Sequence, residues 1–479
     1  MKRHVGFPLI LLMVVMSGCA GLRPVQSSAS GWTEPLCKAG ITGCVESYAA
    51  PRDWRVHVVS NAPAAALTPD MTLADLKGPG CVLSLKSGNP TGTLSVSVDD
   101  GPAMLVRFAN LFGGFLPPFT PPLAGTSATG GYSYVPISFA HHCVISVQGA
   151  EEPPVYQITY AEFPPETPIA PFSIELEGCD KGYFAEWARD FEAASKVRFV
   201  DRATEKYHGT SSKIWPHKDE RLYALEGSGV ITEIEMSIGA KDPDILRKVW
   251  IELYWDGSAE PAVVAPLAGF FGASSVSVPD YATPAFGKQG TRLWCRCPMP
   301  YTSGAQLRVV NRSDSKIDFS YSLTWRPGAA TGSLYFHARY NESVIGNNLP
   351  LVSATVQGKG HYLGQRVAVQ GAKGFHFVAA NTTITADGAA MALAGNLAKD
   401  AYPGDAALTE ARPDSGIVTS AGGAIGDAVP FQQSLTCGIA GPLPETAPDS
   451  VYSNVTMWYQ SEPGGSPWSV PVLEEEPKK

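Results

Sequence analysis

At 479 residues the chain exceeds what one hydrophobic core serves, so two or three domains are expected. An apolar content of 44% excludes a wholly disordered chain, and 48 glycines and 40 prolines without a short period exclude collagen. A formal charge of −9 leaves no basic footprint, which argues against nucleic acid as a partner.

The first 18 residues read as a targeting segment. Lys2, Arg3 and His4 form a basic start, and the apolar run Val5 to Met16 is too short to span a bilayer. It ends in Met16-Ser17-Gly18-Cys19, which resembles a bacterial lipoprotein cleavage site. The implied chemistry is lipidation of Cys19, with residues 19–48 as lipidated start and tether. The expected location is the bacterial outer membrane or cell envelope, the exported chain held to the membrane by acyl chains. Eight further cysteines follow: Cys37, Cys44, Cys81, Cys143, Cys179, Cys295, Cys297 and Cys437. An even count in an exported chain predicts disulfides. No Cys-x-x-Cys is present, and the adjacent His141 and His142 would face opposite sides of a strand, so a metal is rejected and no cofactor is expected.

Residues 49–165 form a first β-unit. Short alternating runs such as Leu94-Ser95-Val96-Ser97-Val98 are punctuated by Asp99-Asp100-Gly101, the pattern of antiparallel strands and tight turns. Pro117 to Pro122 holds four prolines and is predicted as a rim loop, because proline donates no ladder hydrogen bond. Residues 166–221 read as a connector with one helix over Gly182–Val197, whose Phe184, Trp187, Phe191 and Ala194 share a face. Residues 222–330 repeat the order of the first unit: Gly227-Ser228-Gly229 stands where Gly78-Pro79-Gly80 stood, and Asp256-Gly257 where the earlier Asp-Gly turn stood. The separation is too long for a solenoid, so one β-unit is read as duplicated. Residues 331–463 form a third β-rich unit, and 464–479 an acidic, proline-rich tail predicted to be disordered.

Seven motifs then occur in a recognisable order: Gly227 to Ile231, Tyr254-Trp255-Asp256-Gly257, Phe270-Phe271-Gly272, Pro298-Met299-Pro300-Tyr301, Phe336-His337-Ala338, Gly360-His361-Tyr362-Leu363-Gly364, and Trp458-Tyr459-Gln460. Over 222–463 the chain resembles the DUF2961 proteins, which include glycoside hydrolase family 172. The resemblance implies an all-β fold of tandem jelly-roll β-sandwiches: a double jelly roll with an additional N-terminal unit. It also implies a homo-oligomer, a trimer or a multiple of one, and carbohydrate as ligand.

The family's chemistry maps poorly. Retaining glycosidases need two carboxyl groups about 5–5.5 Å apart. The family supplies them from stretches either side of an Asp-Gly turn, here Asp387-Gly388. The first stretch falls on Val378-Ala379-Ala380-Asn381 and carries no acid; the second falls on Gly395 to Tyr402, where Lys399 replaces the glutamate and Asp400 remains. No glutamate lies between Asn341 and Thr409. If the protein is active, Asp400, Asp387 and Asp427 are the candidate acids. His337, His361, Trp458 and Tyr459 are the candidate sugar contacts, although aromatic packing and buried histidines explain the same residues. The leading expectation is an envelope-anchored protein on a sugar-hydrolase scaffold, glycan-binding or structural, whose catalytic pair is lost. Its rivals are an active furanosidase with relocated acids, which Glu410 beside Asp400 would favour, and a capsid-like architectural protein.

Overall fold

The computed structural model describes residues 33, 36, 45–60, 70–127, 130–193, 196–239, 241–273, 280–328, 332–344, 351–372, 381–393, 410–412, 417–422, 428–440 and 446–465. Their regular structure is almost all strand, arranged in sheets that pack in pairs as β-sandwiches. The first unit pairs a six-stranded sheet with a four-stranded one. Alternation does the folding: Leu94, Val96 and Val98 point inward opposite Val147, Ile145 and Cys143, while the intervening serines face out.

The second and third units are not separate sandwiches. The second opposes a seven-stranded sheet to part of a ten-stranded one, and the third opposes the remainder of that sheet to a four-stranded sheet. The junction is a short parallel pairing of Val263–Pro266 with Tyr335–Val344, in which Val263 faces Ala338 and Val264 faces Arg339. One apolar core fills the second unit and takes in Val455, Met457 and Tyr459 from the third. Another joins Trp54, Val56 and Leu83 of the first unit to Ile384, Leu435 and Trp458 of the third. The tandem jelly-roll architecture read from the sequence is therefore present.

The repeat is threefold. In each unit a strand opens on a buried glycine facing an aromatic residue: Gly80 with Phe139, Gly229 with Tyr301, and Gly360 with Phe431. In each unit an aspartate at positive φ ends a strand: Asp99 (47°), Asp256 (52°) and Asp387 (51°). Each carboxylate accepts three consecutive backbone N–H groups from the start of a distant strand. They are 140–142 for Asp99, 302–304 for Asp256 and 432–434 for Asp387. Aspartate tolerates the left-handed turn, and its side chain ties the turn to the sheet.

Three sequence readings change. The helix runs Gly178–Ala193, one turn earlier than its apolar spacing suggests, because Asp180 accepts the Glu177 N–H and starts it there. Strand Lys206–Ile214 lies within the stretch read as connector and pairs along its whole length with Ile317–Pro327. The predicted disulfides are not formed at Cys81, Cys143, Cys295, Cys297 or Cys437, which carry free thiols. Burial in apolar surroundings pushes the Cys143 and Cys437 thiols up to about 12, far from the reactive thiolate. Cys37 and Cys44 lie outside the described residues, as does Cys19.

Candidate functional site

The hairpin of strands Asn381–Ala386 and Ala389–Leu393 turns at Asp387-Gly388 and pairs Thr382 with Leu393. Residues 378–380 and 394–402, where the family carries its acids, lie outside the described residues. Asp387 is at the turn itself, about 17–20 Å along the strand from Asn381. Partial burial raises its carboxyl pKa, but the N–H groups of Ser434, Gln432 and Gln433 outweigh that and hold it below the usual range. Both Asp387 oxygens are committed to those N–H groups, so the residue fastens a turn. Asp400, Asp427, Ala379 and Lys399 lie outside the described residues, and for Glu410 only a backbone place in strand Glu410–Arg412 is described.

The four predicted sugar contacts are fully or almost fully buried. His337 stacks on Trp458 (5.3 Å between ring centres), and its Nε2 bonds the Glu462 carbonyl at 2.9 Å. Burial drives its pKa down to about 3. His361 stacks on Tyr459 at 5.2 Å; burial and then the nearby Arg52 guanidinium hold it neutral. Tyr459 donates to the Pro298 carbonyl, and Trp458 to the Gln460 side chain. These residues pack the joints between units.

A different group faces the interior of the third unit. Along Thr446–Gln460, alternation sends Val455, Met457 and Tyr459 toward the second unit and Tyr452, Asn454, Thr456 and Trp458 between the third unit's own sheets. Neighbouring strands add Asn341 opposite Asn454 and Gln365 opposite Thr456. The four-stranded sheet contributes Ser353 and Thr382, which meet Tyr452 (2.8 Å) and Gln365 (3.3 Å) across the gap. One end of this sandwich, around Trp458, Tyr362 and Phe431, is apolar. The other is lined by amides and hydroxyls.

That polar end is incompletely satisfied. Asn454 donates to the Thr456 hydroxyl at 3.1 Å, and Asn341 to the Val352 carbonyl at 3.0 Å. The Gln365 Oε1 and Asn454 Oδ1 acceptors have no partner, although the two residues are only 1% and 2% exposed. A buried acceptor left without a donor costs about 1–3 kcal/mol, which an ordered water would recover. In the same unit, among Arg339, Asn341, Ser353 and Trp458, lies a cavity of about 10 Å³, room for one water. Among the described residues the inward positions of this unit carry no carboxylate, and no three His, Cys, Asp or Glu side chains are grouped to hold a metal.

Sequence reading passed over these residues. Their signal was present as polar side chains at every second position of Tyr452 to Thr456, but nothing local says which side of the strand turns inward.

Fold and site together define a protein of tandem jelly-roll β-sandwiches whose third unit carries no carboxylate at its described inward positions. Residues 55–178 match the GH172 first beta-sandwich domain and residues 204–322 match the GH172 domain-like family, together about half of the chain. The chain belongs to glycoside hydrolase family 172. The third unit lies beyond both matched stretches. No curated protein matches the chain. Among solved structures, the major capsid protein P2 from Bacteriophage PM2 aligns over 55% of this chain and 100% of its own, at 8% identity and a TM-score of 0.35. A structure from Sulfolobus Turreted Icosahedral Virus aligns over 53% of this chain and 90% of its own, at 10% identity and a TM-score of 0.31.

Proposed function

We propose that this protein is a non-hydrolytic glycan-binding member of its family, anchored at the bacterial envelope through Cys19 and assembled as a homo-oligomer. The observation that carries the reading is the neutral polar end of the third unit. Gln365, Asn454, Asn341, Thr456 and Thr382 stand there without a carboxylate among the described inward residues. Hydroxyl-rich ligands both donate and accept hydrogen bonds, as these amides and hydroxyls do; the space beside Asn341 holds one water, so a sugar would reach the Gln365 and Asn454 oxygens only by parting the unit's two sheets. Acid–base chemistry needs a proton donor and an anion, and the aspartate of the Asp-Gly turn, Asp387, is fastened to that turn at the far end of its hairpin.

Calorimetric titration with short fructo- and arabino-oligosaccharides tests this. Binding is expected without product, and Gln365→Leu is expected to weaken it about tenfold or more, a loss of one charge-free hydrogen bond and its neighbours' alignment. Gln365→Leu removes the unsatisfied oxygen but also the bond to the Thr382 hydroxyl, so melting is measured beside binding and the result is read with the fold shown intact. Sugar turnover abolished by Asp400→Asn would overturn the reading in favour of a working furanosidase.

A further inference from the structure

Strands Lys206–Ile214 and Lys218–Glu226 are joined by Trp215, Pro216 and His217 at a corner of the second unit, each strand forming the outer edge of its sheet. Ile214 is buried and pins the corner, whereas Trp215 is 66% exposed. Between residues 208 and 226 it is the one large apolar side chain left in water. A lone exposed indole is ordinary when its backbone is loose. Here the backbone is braced.

The brace is Asn311, fully buried. Its Nδ2 donates to the carbonyls of Ile214 (3.1 Å), Trp215 (3.2 Å) and Ser315 (2.8 Å), and its Oδ1 accepts from the Ser313 N–H and hydroxyl. One amide therefore locks the hairpin tip to the adjoining 313–315 loop. That loop and tip place polar groups around the indole. His217 Nε2 pairs with Asp314 Oδ1 at 2.9 Å, and the Lys316 ammonium stands 5.6 Å from the centre of the Trp215 ring.

We infer that Trp215 is a surface stacking site for a polysaccharide chain, separate from the inner site of the third unit; the inference rests on the glycan-binding reading above. A sugar ring presents C–H groups on one face and hydroxyls at its rim. Lys316 stands over one face of the indole, so the other face offers the flat apolar surface for the first, and Lys316 with the neighbouring His217–Asp314 pair offers donors and acceptors for the second. A rigidly held aromatic loses little conformational freedom on binding. A lipid surface fits less well, because membrane-seated tips carry several apolar side chains and a surplus of cations. Here Lys213 and Lys316 are both drawn to Asp318, at 3.7 and 3.5 Å.

The test uses the full chain in native gels containing inulin or arabinan, beside calorimetry with short oligosaccharides. Polymer retardation is expected for the parent and to fall about tenfold or more in Trp215→Ala, with Trp215→Phe intermediate and short-oligosaccharide binding unchanged. Trp215→Ala retarded like the parent, or a parent that ignores both polymers while binding short sugars, overturns this inference and leaves the inner site standing. Retardation that depends on Trp215 without any short-sugar binding supports the stacking site and removes the inner one. Trp215-dependent sedimentation with phosphatidylglycerol vesicles in place of polymer retardation overturns it in favour of a membrane contact.

Discussion

Asp256 grips Thr302 twice: one carboxylate oxygen accepts the Thr302 N–H at 2.8 Å and the other accepts its hydroxyl at 2.6 Å. Partial burial raises the Asp256 carboxyl pKa, and the bonds from Thr302, Tyr335, Ser303 and Gly304 reverse this and hold it at about 2. Asp256→Ala is therefore expected to destabilise the second unit by about 2–3 kcal/mol, with alanine also disfavoured at positive φ. Urea melts measure it, and Asp256→Asn should recover part of the loss. Because the folded pKa is depressed, this contribution is present above pH 3.8 and disappears as the pH falls toward 2.

The buried histidines act in a higher window. His337 has a folded pKa of about 3, and His361 is also lowered, so both fold in the neutral form. The unfolded chain binds these protons from about pH 6.5 downward, so folding free energy falls as the pH drops through that value, by up to about 1.4 kcal/mol per pH unit for each histidine. Thermal melts at pH 7.5, 6 and 4.5 should show the decline, and His337→Phe should flatten it. A melting temperature independent of pH over that span would contradict the buried placement.

Glycine at the opening of each unit is a packing requirement. A Cβ on Gly360 would lie 1.9 Å from the Tyr459 carbonyl oxygen, against 2.4 Å from the Tyr301 hydroxyl for Gly229 and 2.6 Å from the Phe139 ring for Gly80. Backbone cannot move aside as a side chain can. Gly360→Ala is expected to be the worst of the three, costing about 3 kcal/mol or more and yielding little soluble protein. Expression yield and melting of the three alanine variants rank them.

Cys19 carries the envelope assignment. Expressed in a Gram-negative host, the parent is expected to incorporate labelled palmitate and partition into detergent, and Cys19→Ala to lose both. Equal labelling of the two proteins would remove the anchor from the proposal.

Much of this fold could be read from alternation, because the strand faces at Leu94–Val98 and the Asp-Gly turns are local signals. The clamps at Asp99, Asp256 and Asp387 were visible only as turns, since their N–H partners come from strands about 40 residues or more further on. Lys206–Ile214 escaped because an edge strand exposed on both faces has no apolar period to display. The inner site was hidden for another reason. His337 and Trp458 attract attention as residue types, yet they fill joints, while the plainer Gln365 and Asn454 acquire meaning only once their strands are paired.

The shared ten-stranded sheet has a bearing on how any ligand is met. With Val263 and Val264 laced to Ala338 and Arg339 inside one continuous ladder, the second and third units have no hinge between them and cannot close like a clamshell. A ligand of the kind proposed would then meet two units that move together, with no jaw between them to tighten around it.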